Sequence, residues 1–247
     1  MENVKTMGTG TKPSLLYRFL RIFGDIRQGE AGTVFLLALN IYLIMTNYYI
    51  VKPIRDAWMV SYTEKGPNIK SYLSAAIAVV FIFVVKGFSK LASKVPRQIL
   101  ITQVTLSFIA TLAFFYVLNL LNVPLLGIFF FIWAGIISLL LPAQLWGFAN
   151  DIYTEEVGKR VFPFVAFGAA FGSASGSTIT GWLIPLLGRF NLLLVGAGIL
   201  GTSIGLTWII HKREIRRIEE KRGQAGPPDK SQKIIQEQPL KAGGGFQ

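Results

Sequence analysis

Long apolar runs broken by short polar segments set the pattern of this chain from residue 33 to residue 211. A helix needs roughly 20 mainly apolar residues to cross about 30 Å of hydrocarbon, because each residue advances it by about 1.5 Å. Six segments meet that requirement: Thr33 to Tyr62, Ser71 to Phe88, Arg97 to Leu121, Pro124 to Ala149, Val161 to Leu187 and Phe190 to His211. None shows the period-2 alternation over about 10 residues that marks a membrane β-strand. The pattern predicts an all-α polytopic membrane protein with six transmembrane helices. Tight connections at Asn122 to Val123 and Gly188 to Arg189 join antiparallel neighbours. Three regions follow: a cytoplasmic lead with an amphipathic helix (residues 1–32), a six-helix transmembrane domain (33–211), and a basic cytoplasmic tail (212–247) that opens as a helical stub and continues as a flexible linker.

Composition supports a membrane reading. Hydrophobic residues make up 52% and charged residues 15% of the chain, against about 25% charged in a soluble domain. The net charge of +12 does not point to nucleic acid, because the basic residues lie between apolar runs and not on one solvated face. With no cysteine and His211 as the single histidine, disulfides, thiolate chemistry and multi-histidine metal sites are excluded, and no cofactor is called for.

The basic residues also orient the helices, since cytoplasmic flanks carry the excess of Lys and Arg. Lys5, Lys12, Arg18, Arg21 and Arg27 in the lead, Lys86, Lys90, Lys94 and Arg97 in the second connection, and Lys159 and Arg160 in the fourth all fall on one side. The tail adds Lys212, Arg213, Arg216, Arg217 and others, whereas the opposite side offers Lys65, Lys70 and Arg189. Both termini are therefore expected in the cytoplasm. In the lead, Leu15, Phe19, Ile22 and Ile26 recur at helical spacing behind Ser14. That helix lies either on the inner leaflet or packed under the bundle.

The strongest candidate chemistry is Lys52, Pro53, Ile54, Arg55 and Asp56 inside an otherwise apolar run. Charges at membrane depth are costly and face a cavity or a partner. Asn40, Tyr48, Lys52 and Arg55 recur near whole helical turns and are expected to form one polar stripe, its two cations suited to an anionic substrate. The competing reading ends the helix at Val51 and leaves Lys52 and Arg55 at the outer interface, with Asp56 neutralising Arg55. Gly168, Gly172 and Gly176, four apart, permit close helix packing or a sliding contact, and Gly201 and Gly205 admit the same interpretation. The fourth connection carries Asn150, Asp151, Glu155, Lys159 and Arg160, candidates for a gate latch of ion pairs or for an ordinary solvated loop. Gly196, Gly198 and Gly201 spell a dinucleotide fingerprint in mid-span, where it has no strand before it, and GSASGST at Gly172 to Thr178 lacks the Lys of a P-loop. No catalytic constellation stands in the spans, so an enzyme is not expected.

The stretch LWGFANDIYTEEVGKRVFPFVAFGAAFGSASG from Leu145, the KPIRDAWMV segment from Lys52 to Val60, and RIFGDIRQGE before the first span together resemble the bacterial and plastidic ATP/ADP translocase family, distant relatives of the major facilitator superfamily. The resemblance covers nearly the whole chain. It implies that Lys52 and Arg55 engage nucleotide phosphates, and that the six helices are the N-terminal half of a fold of about twelve, built as 3+3 inverted repeats and working by alternating access. The fifth-span glycine ridge would then meet the second half. The family's fourth span carries an acidic residue where this chain has Ala134.

The sequence thus supports a non-enzymatic, multi-pass carrier half in a cell inner membrane or a plastid-type inner envelope. It would move an anionic, nucleotide-class solute such as ATP or ADP by exchange or on a gradient. Its partners would be the lipid bilayer and a missing second six-helix half, supplied by a separate chain or a homodimer mate. The alternative is a transport-inactive membrane scaffold that keeps the carrier fold.

Overall fold

The computed structural model describes residues 31–63 and 69–224. The amphipathic lead and the linker after residue 224 lie outside them. The described residues form six helices: α1 Ala31–Thr63, α2 Ile69–Ala92, α3 Arg97–Leu120, α4 Leu126–Ile152, α5 Glu155–Leu187 and α6 Leu192–Gln224. All but α5 are long and apolar enough to cross a membrane. α5 is 33 residues long, but the Gly, Ser and Thr from Gly172 to Thr178 lower its mean hydropathy, so its span does not rest on composition.

The start of α5 differs most from the expected one, at a place rich in charge. α5 begins at Glu155, not Val161, so the fourth connection shrinks to Tyr153 and Thr154. Glu155 and Glu156 fill its first turn, where carboxylates favour the positive end of the helix dipole. α6 runs on to Gln224 through the helical stub expected after His211, because Lys, Arg and Glu are good helix formers once a span has paid for nucleation. The turn between α3 and α4 places Asn122 and Leu125 at positive φ, and Gly188 turns the chain between α5 and α6 at φ 79.

α1 is the central post of the bundle. It packs on α5, α6 and α4, while α2 lies on α4, and α3 lies on α6 and α4. The closest of these contacts follows from three glycines. A β-carbon at Gly168 would come within 2.5 Å of the Ala38 carbonyl oxygen, one at Gly176 within 2.8 Å of the Thr46 carbonyl oxygen, and one at Gly172 would collide with the Tyr42 backbone. The ridge therefore seats on α1 of the same chain, which corrects the expectation that it meets a second half. Gly201 and Gly205 differ: a β-carbon at either would meet nothing within 4 Å, so they do not pack the described helices.

α1 continues through Pro53 to Thr63, so the reading that ends it at Val51 does not hold. Pro53 has no N–H to give the carbonyl four residues back, which is Tyr49. The Thr180 hydroxyl of α5 stands 3.3 Å from the Tyr49 oxygen, but its one proton serves the Gly176 carbonyl at 2.7 Å. α2 takes the opposite role. Ala92 is its one buried described residue, and Tyr72, Val79, Ile82 and Phe83 stand exposed, as on a face turned to lipid or to another protein.

Candidate anion site and the two charged ends

Lys52 and Arg55 sit one turn apart in the C-terminal half of α1, and their surroundings differ. The Lys52 ammonium lies 5.3 Å from the centroid of the Tyr49 ring, and among the described residues no carboxylate pairs with it. Arg55 is committed: its Nη2 is 3.1 Å from Asp56 Oδ1, its side chain is 13% exposed, and its guanidinium stacks 5.0 Å from the Phe131 ring of α4. Asp56 Oδ1 also draws Lys70 of α2 to 3.6 Å. The Arg55–Asp56–Lys70 triad thus ties α1 to α2, and Lys52 is left as the cation able to accept an external anion.

Asn40 does not share that stripe. It is fully buried and turned to α6, where its Nδ2 donates to Thr207 Oγ1 at 2.8 Å and its Oδ1 accepts from the Ser203 hydroxyl at 2.5 Å. Eight residues turn a helix through about 800°, some 80° past two full turns, which is enough to send Asn40 to one neighbour and Tyr48 to another. Tyr48 lines a cavity of about 10 Å³ with Asn47, Leu112, Trp133, Ala134 and Leu200, room for a single water. Asn47 Oδ1 is buried there without a hydrogen-bond partner among the described residues. Ala134 forms part of the same wall as Tyr48. No nucleotide fits this space.

At the other end of the bundle, the expected latch residues separate. Glu155 and Lys159 pair at 2.8 Å within α5, both exposed, and a pair inside one helix cannot gate. Asn150 is exposed, and Arg160 lies on the first turns of α5. Asp151 instead bridges helices: its Oδ2 is 3.1 Å from Nε of Arg97 at the start of α3. A second bridge escaped the sequence reading. Thr33 at the start of α1 donates to Oε1 of buried Glu214 at 2.6 Å, and Arg217 approaches the same oxygen at 3.6 Å. Neither pairing has a sequence signal, since the partners are far apart in the chain.

Comparison with known proteins returns one informative likeness. The chain is similar to a plastidic ATP/ADP-transporter of Solanum tuberosum. Identity is 26% over 207 aligned positions, covering 62% of this chain and 32% of the relative. The chain therefore spans about a third of that relative's length. No family model and no solved structure matches.

Proposed function

We propose that this chain is one six-helix body of a membrane carrier for an anionic, nucleotide-class solute. The observation that carries the reading is Lys52, a cation in a membrane-length helix with an aromatic platform beside it and no described carboxylate on it. Counted from Ala31, the roughly 20 residues of a span end just before Lys52, so this cation stands at the membrane edge, where an anionic solute can reach it. The likeness to an ATP/ADP-transporter supplies the solute class. The basic flanks put the end bearing Arg97, Asp151 and Glu214 in the cytoplasm.

The helix pairings support a 3+3 inverted repeat. Exchanging α1 with α4, α2 with α5 and α3 with α6 turns the α1–α5 pairing into α4–α2 and the α1–α6 pairing into α4–α3, and leaves α1–α4 and α3–α6 in place. All six of these pairings occur. In such folds the solute sits between two six-helix bodies, which move by rocking. The single-water cavity inside this body agrees with a solute bound on its face.

Exchange of labelled nucleotide by proteoliposomes tests the proposal, using the chain together with whatever second body it assembles with. Loss of saturable exchange in Lys52→Gln, with recovery in Lys52→Arg, is the expected result. Undiminished exchange in Lys52→Gln refutes the role of this lysine. A complete absence of exchange by correctly assembled protein favours the scaffold reading.

A further inference from the structure

A groove of about 410 Å³ opens between the first turn of α3 and the last turns of α6, lined by Gln98, Trp208, His211, Lys212, Ile215 and Arg216. From this we infer a specific site for the phosphate head group of an anionic membrane phospholipid.

Depth is the first support. The roughly 20 residues that about 30 Å of hydrocarbon requires, counted from Leu192 at the start of α6, end at His211. Trp208 then lies just inside the hydrocarbon edge, and Lys212 and Arg216 lie among head groups. α3 starts at Arg97, which brings Gln98 to the same level. Charge is the second support. The Lys212 ammonium rests 4.8 Å from the Trp208 ring centroid, and no described carboxylate pairs with Lys212 or Arg216. Their neighbour Arg217 is drawn to Glu214 instead. Two cations one helical turn apart, beside an amide that donates hydrogen bonds, suit a phosphate.

The walls below the groove argue for a lipid over a free phosphate. Trp208 and Ile209 on α6 and Ile99 and Leu106 on α3 are exposed large apolar side chains, a rail on which acyl chains lie once the head group is held. A soluble phosphate ester has no use for that rail. The volume falls in the range of roughly 300–1,000 Å³ usual for small-ligand sites. The inference needs α6 to cross the membrane, but it does not depend on transport or on the identity of the solute.

The test measures lipid binding by the full-length purified chain in detergent, by native mass spectrometry and thermal shift. Phosphatidylglycerol is compared with phosphatidylcholine and with free glycerol phosphate. The wild-type protein is expected to retain phosphatidylglycerol in preference to phosphatidylcholine and to ignore glycerol phosphate at matched concentration. The Lys212→Gln/Arg216→Gln variant should bind phosphatidylglycerol roughly 30-fold more weakly, from about one step of surface attraction per cation. The Lys86→Gln/Lys90→Gln variant removes the same charge from the same side, outside the groove, and should stay within about 2-fold. Equal losses in the two variants, no preference over phosphatidylcholine, or an equal response to glycerol phosphate would each overturn the site. A photoactivatable phosphatidylglycerol on the wild-type chain gives an answer independent of variant folding. Adducts should map to the peptides holding Gln98 and Trp208 to Arg216, and adducts elsewhere only would count against the groove.

Discussion

Asn40, Lys52 and Arg55 lie on one helix and look alike in the sequence as polar residues in an apolar run, yet each has a different task. Asn40 joins α1 to α6 through two hydrogen bonds. Replacing it with Leu strands the Ser203 hydroxyl, while Thr207 keeps its bond to the Ser203 carbonyl, so Asn40→Leu should destabilise the bundle by about 1–2 kcal/mol, read as a lower midpoint of thermal unfolding in detergent. An unchanged midpoint would show that the bonds add nothing net. Lys52 and Arg55 should also part company in transport. The Arg55 charge is offset by Asp56, so Arg55→Gln is expected to lower exchange through loosened α1–α4 packing at Phe131, with KM little changed. Lys52→Gln should raise KM by about 10-fold or more, the worth of one charge-assisted contact. Equal KM effects would restore the symmetric pair that the sequence suggests. Spacing identifies both cations, and the competing reading of the sequence already pairs Asp56 with Arg55; the further reach of Asp56 to Lys70 on α2 is what spacing does not reveal.

At the scale of whole helices, hydropathy is a good guide where charge is scarce and a poor one where charge is plentiful. The runs behind α1 to α4 were legible to within a few residues, because apolar length is what a span demands. The start of α5 was not, since Glu155 to Arg160 suit a helix and a loop equally by polarity, and the length of the helical stub after His211 was not either. Glycine spacing was readable, but not the partner. Gly168, Gly172 and Gly176 press on α1, whereas Gly201 and Gly205 face open space. Gly172→Ile should therefore push α5 from α1 and cost at least about 1–3 kcal/mol as overpacking. Gly205→Ala should be neutral or stabilising by up to about 1 kcal/mol from helix propensity. Thermal unfolding of both variants checks the pair. A destabilising Gly205→Ala would mean that another body packs on that face of α6.

For the molecule as a whole, the exposed α2 face and the lack of a nucleotide-sized internal space around Tyr48 both point outward. Under the proposed function, such a body completes its solute site only against a second one. Chains reconstituted as monomers, with their state fixed by cross-linking and mass measurement, should show no saturable uptake. Uptake should appear when a second six-helix body is supplied by a longer chain, a partner or a second copy. Saturable uptake by the monomer would show that one body suffices. The pairing symmetry that motivates this view was not legible in the sequence, because the two halves of the chain, residues 31–120 and 126–224, share helix order but no evident repeat of residues.

The proline in α1 divides that helix mechanically. Below Pro53, glycines hold the helix against α5 by backbone contact, which yields only if the whole helix moves. Beyond it the anchoring passes to α4: Ile54 is fully buried, Arg55 stacks on Phe131, and Trp58 meets Phe130 edge-on at 4.7 Å. At the break itself the Tyr49 carbonyl has lost its helical donor, and the Thr180 hydroxyl 3.3 Å away gives its proton to Gly176 instead. Lys52 therefore stands where α1 passes from one supporting neighbour to the other, beside an interruption in its own hydrogen-bond ladder.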